Sequence, residues 1–173
     1  MANRAPYDVV ITHSTDTGTL VDLRATDQGR VALSRALGIA LPATGDAATC
    51  RLGTLYALAP DEWLAITERG RPDAIESTLA LESTCATDVS ATYARFEIVG
   101  ADTLAVLAQV STLDLQRMAR TACARTVINR VTAIVARSNE GVVLLVERSY
   151  ARSMVHCLAA ASGRPVTSAP LET

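Results

Sequence analysis

The sequence predicts an α+β fold in which two βαββ-like halves carry helices on one face of largely antiparallel sheets. Three patterns support this prediction. Two apolar runs flank Pro60 and Asp61, residue types that reverse the chain in a β-hairpin. Apolar and polar residues alternate between Tyr93 and Ile98, which is the two-residue period of a half-buried strand. From Ala151 onward, apolar residues recur at the spacing of an amphipathic helix.

The length and composition set the domain organisation. The chain has 173 residues, of which 49% are hydrophobic, so it can bury one core or two small halves that share a core. We expect an extended arm over residues 1–17, a globular domain over 18–163 built from halves 18–91 and 92–163, and a tail over 164–173. No apolar run approaches the roughly 20 residues that span a bilayer. With no secretory signal visible, we expect a cytoplasmic protein without a membrane partner.

The first half is predicted to begin with a strand from Leu20. A helix follows, with Asp27 as its N-cap and Gly38 near its end. The remaining elements, besides the hairpin, are a loop over 41–49, a second helix from about Pro72 that places Ile75 and Leu79 on one face, and a short strand over 85–90.

The second half is predicted to begin with the strand from Tyr93, which Gly100 turns into a short helix. Three strands follow, at roughly 122–129, 131–137 and 142–147. Because the last of them is apolar on both faces, it should lie centrally in its sheet. The final helix is predicted to be capped by Ser149 and ended by Gly163.

The composition excludes several kinds of chemistry. All 16 basic residues are arginines, so neither a Schiff-base lysine nor a Walker A lysine can be present. The net charge of −2 and the scattered arginines give no continuous basic face for nucleic acid. No glycine-rich GxGxxG run follows a strand, so we do not expect this chain to hold FAD or NAD by itself.

Candidate metal ligands and catalytic bases are few and far apart in sequence. The four cysteines lie more than thirty residues apart, without a CxxC pair, so we expect reduced and mostly buried thiols: Cys50, Cys85, Cys123 and Cys157. Of the two histidines, His13 falls in the expected arm. His156 falls off the apolar stripe of the last helix, so it is interpreted as a solvated or interface side chain.

Three further positions have both a structural and a functional interpretation. Trp63 is predicted to pack at the exit of the hairpin, and the neighbouring Asp61 and Glu62 to lie in a solvated turn. Asp114 is predicted to lie in a loop, where its carboxylate either braces backbone amides or contacts a ligand. Tyr150 follows Ser149 at a strand-to-helix junction and is predicted to pack on the sheet.

Four short motifs occur in a characteristic order, namely PDEWL at Pro60–Leu64, LDL at Leu113–Leu115, CART at Cys123–Thr126 and RSYA at Arg148–Ala151. With this order and spacing, the chain resembles the gamma subunit of the heterotetrameric, flavin-dependent sarcosine oxidases over about residues 20–162. The equivalent subunit of a related N-methyl amino acid oxidase or dehydrogenase is included in this resemblance.

The resemblance implies a fold similar to the folate-binding domain of the glycine-cleavage T proteins. It also implies a non-catalytic chain that binds no cofactor. FAD, FMN, NAD and tetrahydrofolate would belong to larger partner subunits, and zinc to a small partner subunit. In the whole complex, an N-methyl amino acid would be demethylated oxidatively and its one-carbon unit passed to tetrahydrofolate.

The resemblance also suggests site residues. Asp114 matches the aspartate that faces folate in T proteins, but the glycine pair that follows it there and the Lys-Gly-Cys-Tyr signature of the tRNA-modifying relatives are missing. We therefore expect an inherited fold without the ligand. Contacts with the partner subunits are expected near the hairpin and on the polar side of the final helix, at Trp63, Tyr150, Arg152 and His156.

Two alternatives stay open. The chain could be a stand-alone folate-dependent methyl or aminomethyl transferase, in which Asp114 lines a pterin pocket. It could also be a small regulatory module of ferredoxin-like type that binds an amino acid and dimerises by itself. Tetrahydrofolate binding by the isolated chain would distinguish the first alternative, and the gene neighbourhood would separate all three.

Overall fold

The structure is a computed structural model that describes residues 6–15, 17–67, 83–138 and 140–169. The chain divides into two compact units, each with one β-sheet. Unit 1 comprises Met1–Asp16, Tyr93–Arg120 and Arg125–Thr173, and unit 2 comprises Thr17–Thr92 and Thr121–Ala124. Two largely antiparallel sheets with few helices confirm the predicted α+β class.

Unit 2 contains a five-stranded sheet in the order β3-β4-β5-β2-β6. Its described elements are β2 (Thr19–Ala25), α1 (Asp27–Leu37), β3 (Ala47–Cys50), β4 (Gly53–Ala59), β5 (Glu62–Thr67) and β6 (Thr84–Asp88). The strands β4 and β5 form the predicted hairpin, with Pro60 and Asp61 between them.

Helix α1 has a capping residue at each end and one close contact with the backbone at Ser83. The Thr26 hydroxyl accepts a hydrogen bond from the Gly29 amide, and Gly38 ends the helix at a φ of 72°. A Cβ on Gly29 would lie 2.3 Å from the Ser83 carbonyl oxygen, so a residue without a side chain is needed here. Leu33 and Leu37 face the sheet and are buried.

Trp63 is the largest side chain in the core of unit 2, with 1% of its surface exposed. Its indole N–H donates to the Pro42 carbonyl at 3.3 Å. The Arg30 guanidinium lies over the ring, 5.2 Å from the ring centroid, and also donates to the Pro60 carbonyl. The prediction that Trp63 is a packing residue is thereby confirmed.

Unit 1 contains a six-stranded sheet in the order β11-β1-β7-β10-β9-β8, so β10 lies centrally, as predicted. Its elements are β1 (Val10–Ser14), β7 (Tyr93–Val99), α2 (Thr103–Leu107), β8 (Cys123–Ile128), β9 (Val131–Arg137), β10 (Gly141–Glu147), α3 (Ala151–Ser162) and β11 (Thr167–Ser168).

The core of unit 1 lies on one face of its sheet. Phe96 on β7 pairs in register with Leu144 on β10, and both side chains are fully buried. Met154 and Leu158 of α3 belong to the same buried cluster, as do Val106 and Leu107 of α2. As their sequence periods predict, β7 buries alternate side chains and α3 buries its apolar stripe.

The expected N-terminal arm needs a correction. Within residues 1–17, β1 is a sheet strand that pairs with β7 over five residues, from Val10 to Ser14. The expected tail, residues 164–173, supplies β11, which pairs in parallel with β1. Both strands are short and contain polar residues, and they form because neighbouring strands offer backbone partners and, in β1, because Ile11 is buried in the core.

Three predicted boundaries also shift. The N-cap of α1 is Thr26 instead of Asp27, because Thr26 has the extended backbone that lets its hydroxyl reach the amide. Ser149 lies in a 3-10 turn, Arg148–Tyr150, and makes no cap for α3, which begins at Ala151. The predicted loop over 41–49 includes most of β3, and the helix predicted from Pro72 lies outside the described residues.

His13 gives unit 1 a pH-dependent stability. Its ring stacks on Phe96 with 4.7 Å between centroids, and its buried Nε2 has no hydrogen-bond partner among the described residues. Burial lowers the pKa of His13 below the usual 6.5. The folded chain therefore binds fewer protons than the unfolded chain just below pH 6.5, so stability is fully present above that pH and falls as the pH drops through the folded pKa.

We predict that the melting temperature decreases between about pH 7.5 and 5.5, and that His13→Leu flattens this part of the profile. His156→Gln is the matched control, because His156 is exposed on α3. Thermal unfolding followed by circular dichroism measures both profiles. An unchanged slope in His13→Leu would contradict this assignment.

Candidate functional site

The loop between α2 and β8 carries Asp114 and is braced by its own side chains. The Ser111 hydroxyl accepts a hydrogen bond from the Leu113 amide at 3.1 Å. The Asp114 carboxylate accepts one from the Arg117 amide, with 3.3 Å between Oδ1 and N. Leu115 is buried in the core of unit 1. Local turns at Ser111 and Asp114 thus shape the loop, and the buried Leu115 anchors it to the core of unit 1.

Arg137, the last residue of β9, holds the same loop from the sheet. Its Nη1 donates to the Leu115 carbonyl at 2.8 Å and to the Met118 carbonyl at 2.5 Å. Two hydrogen bonds from one charged group fix the separation between these carbonyls. The sequence analysis did not predict this role; the available signal is an arginine at the end of a mostly apolar strand.

The geometry of Asp114 favours a structural role. The Asp114 side chain is 59% exposed and pairs with Arg117, with 3.3 Å between Oδ2 and Nε. One carboxylate oxygen therefore accepts from the loop backbone, and the other pairs with the Arg117 guanidinium. This arrangement corresponds to the predicted loop brace, and a ligand contact at Asp114 stays a proposal.

The predicted interface residues differ in burial. Trp63 is buried in the core of unit 2, so we correct its assignment as an interface residue: its indole is covered by this chain's own residues. Tyr150, Arg152 and His156 belong to unit 1 and are exposed, with 47% of Tyr150 accessible. Tyr150 was predicted to pack on the sheet, but with this exposure it does not pack there fully.

Glu62 also departs from the prediction of a solvated turn. Asp61 is exposed, but Glu62 is 5% exposed and pairs with Arg24, with 3.1 Å between the Oε1 and Nη2 atoms. Arg24 bonds Asp22 as well, and the two carboxylates raise the pKa of the Arg24 guanidinium. Glu62 lies opposite Arg24 in the pairing of β5 with β2, so the pair is a cross-strand contact.

The cysteines are poor nucleophiles where they are buried. The Cys123 thiol donates to the Asp46 and Ala57 carbonyls at 3.4 and 3.5 Å, and burial raises its pKa to about 11. Burial also raises the pKa of Cys157. Within the described ranges, no three His, Cys, Asp or Glu side chains converge as a metal site would require. None of the described helices is long and apolar enough to cross a membrane.

A sequence model of the sarcosine oxidase gamma subunit family matches residues 24–164 of this chain. The chain belongs to that family. The match covers most of the sequence and includes the four motifs on which the resemblance was based. A search of curated proteins found no match.

Solved structures of other proteins have a similar fold. The structure is similar to a chain of the heterotetrameric sarcosine oxidase from Corynebacterium sp. U-96 in complex with pyrrole 2-carboxylate, with a TM-score of 0.81 and 24% identity. That comparison covers 92% of this chain and 86% of the other.

A second solved structure shares this fold. The glycine cleavage system aminomethyltransferase T from Bartonella henselae matches with a TM-score of 0.73 and 16% identity. The match covers 94% of this chain but 48% of the transferase, so the family member spans about half the length of that enzyme. At this identity the likeness shows the fold alone, and it confirms the similarity expected with T proteins.

We predict that Arg137→Met loosens the Asp114 loop and leaves most of the sheet intact. Both carbonyls that Arg137 holds would lose a charged donor, so amide hydrogen exchange should accelerate within residues 113–119, by about tenfold if some 1–2 kcal/mol of local stability is lost. Hydrogen–deuterium exchange with mass spectrometry measures this.

The matched control is Arg130→Met, in the turn between β8 and β9, which changes the same charge and for which no contact with the loop is described. Equal exchange in the wild type and in Arg137→Met would show that the loop is held by its own turns.

Proposed function

We propose that this chain is a non-catalytic structural subunit of a flavin-dependent, heterotetrameric complex of the sarcosine oxidase type. The complex would oxidatively demethylate an N-methyl amino acid and pass the one-carbon unit to tetrahydrofolate. Membership of the gamma subunit family over residues 24–164 is the observation that carries this proposal. The structural similarity to a chain of a heterotetrameric sarcosine oxidase supports it.

The dispersed chemistry of the described residues supports a non-catalytic role. A general acid or base must reach the reacting atom and be oriented by a neighbour. Asp114 contacts only Arg117 and its backbone amide among the described residues, and the Cys123 thiol is buried with a raised pKa. His13 is stacked within the sheet and His156 is exposed on α3. No two of these groups form a nucleophile–base pair in the described part of the chain.

The cofactors are therefore assigned to the partners. We propose that FAD, FMN, NAD and tetrahydrofolate are held by the larger subunits, and zinc by a small subunit. Oxidation of the N-methyl group is the chemistry that the flavin supplies there. This chain would contribute a folded surface on which the larger subunits assemble. Its four cysteines are free thiols, which supports a cytoplasmic location for the complex.

The second candidate is a stand-alone folate-dependent transferase. The fold shared with aminomethyltransferase T and the match of Asp114 to the folate-facing aspartate favour it. The absence of the glycine pair that follows this aspartate in T proteins argues against it.

We predict that coexpression with the flavoprotein subunits of a sarcosine oxidase-type complex yields one complex that contains the 18.2 kDa polypeptide. The chain purified alone should lack flavin absorbance and sarcosine oxidation, and should not bind tetrahydrofolate in calorimetry. Size-exclusion chromatography with absorbance spectra is the measurement.

Stoichiometric flavin bound to the isolated chain would contradict the proposal. Micromolar tetrahydrofolate binding that Asp114→Asn abolishes would favour the transferase instead. Asp102→Asn is the control, because that carboxylate bonds the Asp8 amide, outside the Asp114 loop.

A further inference from the structure

We propose that residues 164–169 are a removable cover for the edge of β1, and that this cover prevents a second copy of the chain from adding a strand to the sheet of unit 1. The inference concerns the chain by itself and does not rest on the proposed subunit function.

The pairing of β1 with β7 leaves one side of β1 open. The two strands pair over five residues, from Val10 to Ser14. Alternate residues of a strand direct their backbone carbonyls to opposite sides, so those of Ile11 and His13 point away from β7. The Thr167 hydroxyl donates to the Ile11 carbonyl at 3.1 Å, and the Ala169 amide donates to the His13 carbonyl at 2.8 Å. Both carbonyls on this side of β1 are therefore bonded by the segment.

Two arginines close the same edge beyond the ends of β1. Arg164 Nε donates to the Tyr7 carbonyl at 3.0 Å, and Arg148 Nη2 donates to the Thr15 carbonyl at 2.8 Å. Together with Thr167, these arginines bond the edge through side chains instead of through the backbone of a long strand. The segment therefore covers the edge without presenting a comparable new edge of its own.

The cover is held much less firmly than the strand beneath it. β11 pairs with β1 at two residues, Thr167 and Ser168, and both are exposed. Val166 supplies an apolar anchor, partly buried against the core of unit 1. β1 itself is fixed by its five pairs with β7 and by Ile11, which is 1% exposed. Release of the segment would thus leave β1 in the sheet with unpaired backbone groups along its outer side.

An uncovered β1 has the properties of a strand that pairs with another chain. Val10, Ile11 and Thr12 are β-branched residues, which strands favour. Lysine and proline commonly block an exposed edge, but β1 contains neither, and the whole chain lacks lysine. A second copy fits this edge because two identical strands can pair antiparallel about a two-fold axis.

The test removes the cover in the full-length chain. Thr167→Val combined with Ala169→Pro deletes the hydroxyl and the amide that bond β1. This double variant should self-associate at least about tenfold more tightly than the wild type in sedimentation velocity, because main-chain hydrogen bonds drive strand addition. The matched control is Ser168→Pro, which also adds a proline to β11. Its amide alternates with those that face β1, so Ser168→Pro should behave as the wild type does.

A second substitution identifies β1 as the interface. Thr12→Lys, added to the double variant, should restore the wild-type state. Thr12 lies opposite Glu97 on β7, so a lysine there gains a partner within its own chain, whereas two paired copies of β1 would bring like charges together. The control is Thr126→Lys on β8, the strand at the other edge of the same sheet, which should leave the self-association unchanged.

Hydrogen–deuterium exchange shows whether the segment has left. At low protein concentration, the amides of Ile11 and His13 should exchange faster in the double variant than in the wild type, and self-association should protect them again. Melting temperatures measured by circular dichroism check that each variant is folded.

Self-association that Thr12→Lys does not abolish would overturn the inference, as would a wild-type dimer that Thr12→Lys disrupts, because the edge would then be open in the presence of the segment. If the double variant keeps the wild-type state, replacing residues 166–169 with four glycines removes the cover completely at the same chain length. An unchanged oligomeric state in that variant would also show that the inference is wrong.

Discussion

The pairing of β7 with β10 is the interaction on which the functional parts of unit 1 depend. Seven consecutive residue pairs join the two strands, from Gly141 opposite Val99 to Glu147 opposite Tyr93. A shift of one residue would turn Phe96 and Leu144 away from the core, because successive side chains of a strand point to opposite faces. This register therefore fixes which face of the sheet buries α3, and hence which side of α3 carries Arg152 and His156 outward.

The strand pairing of this sheet also positions the residue that holds the Asp114 loop. In the pairing of β10 with β9, Val142 lies opposite Arg137, so the arginine stands at the end of the sheet beside the buried cluster. From there its guanidinium bonds the Leu115 and Met118 carbonyls. The loop that carries Asp114 is thus held to the end of β9 by one guanidinium group. In this chain, Asp114 pairs with Arg117.

Much of this arrangement could be predicted from local sequence patterns. The alternation in β7 and the stripe in α3 are direct consequences of burying one face, and Gly38 and Gly163 end their helices in the left-handed conformation that glycine favours. The strand β1 could not be predicted in this way. Only Val10 and Ile11 of its five residues are apolar, which is too short a run to show a period, and the strand is completed by backbone pairing with β7 and β11 and by the stacking of His13 on Phe96.

The candidate site was harder to predict than the fold. Glu62 is buried because Arg24 lies opposite it on β2, and Arg137 holds a loop about twenty residues earlier in the chain. Both contacts join residues that are distant in sequence, so no local period reveals them. Trp63 shows the same limit, since its place in a motif suggested an interface whereas packing against Pro42 and Arg30 places it in the core.

We infer that no side chain of this polypeptide takes part in the chemistry of the complex. The most direct measurement is sarcosine turnover per bound flavin, together with the yield of methylene-tetrahydrofolate, in complexes assembled with the wild type and with Asp114→Asn. If this chain is non-catalytic, both quantities should stay within about twofold of the wild type. A fall of about 100-fold or more in either, the size expected when an acid–base group is removed, would contradict it.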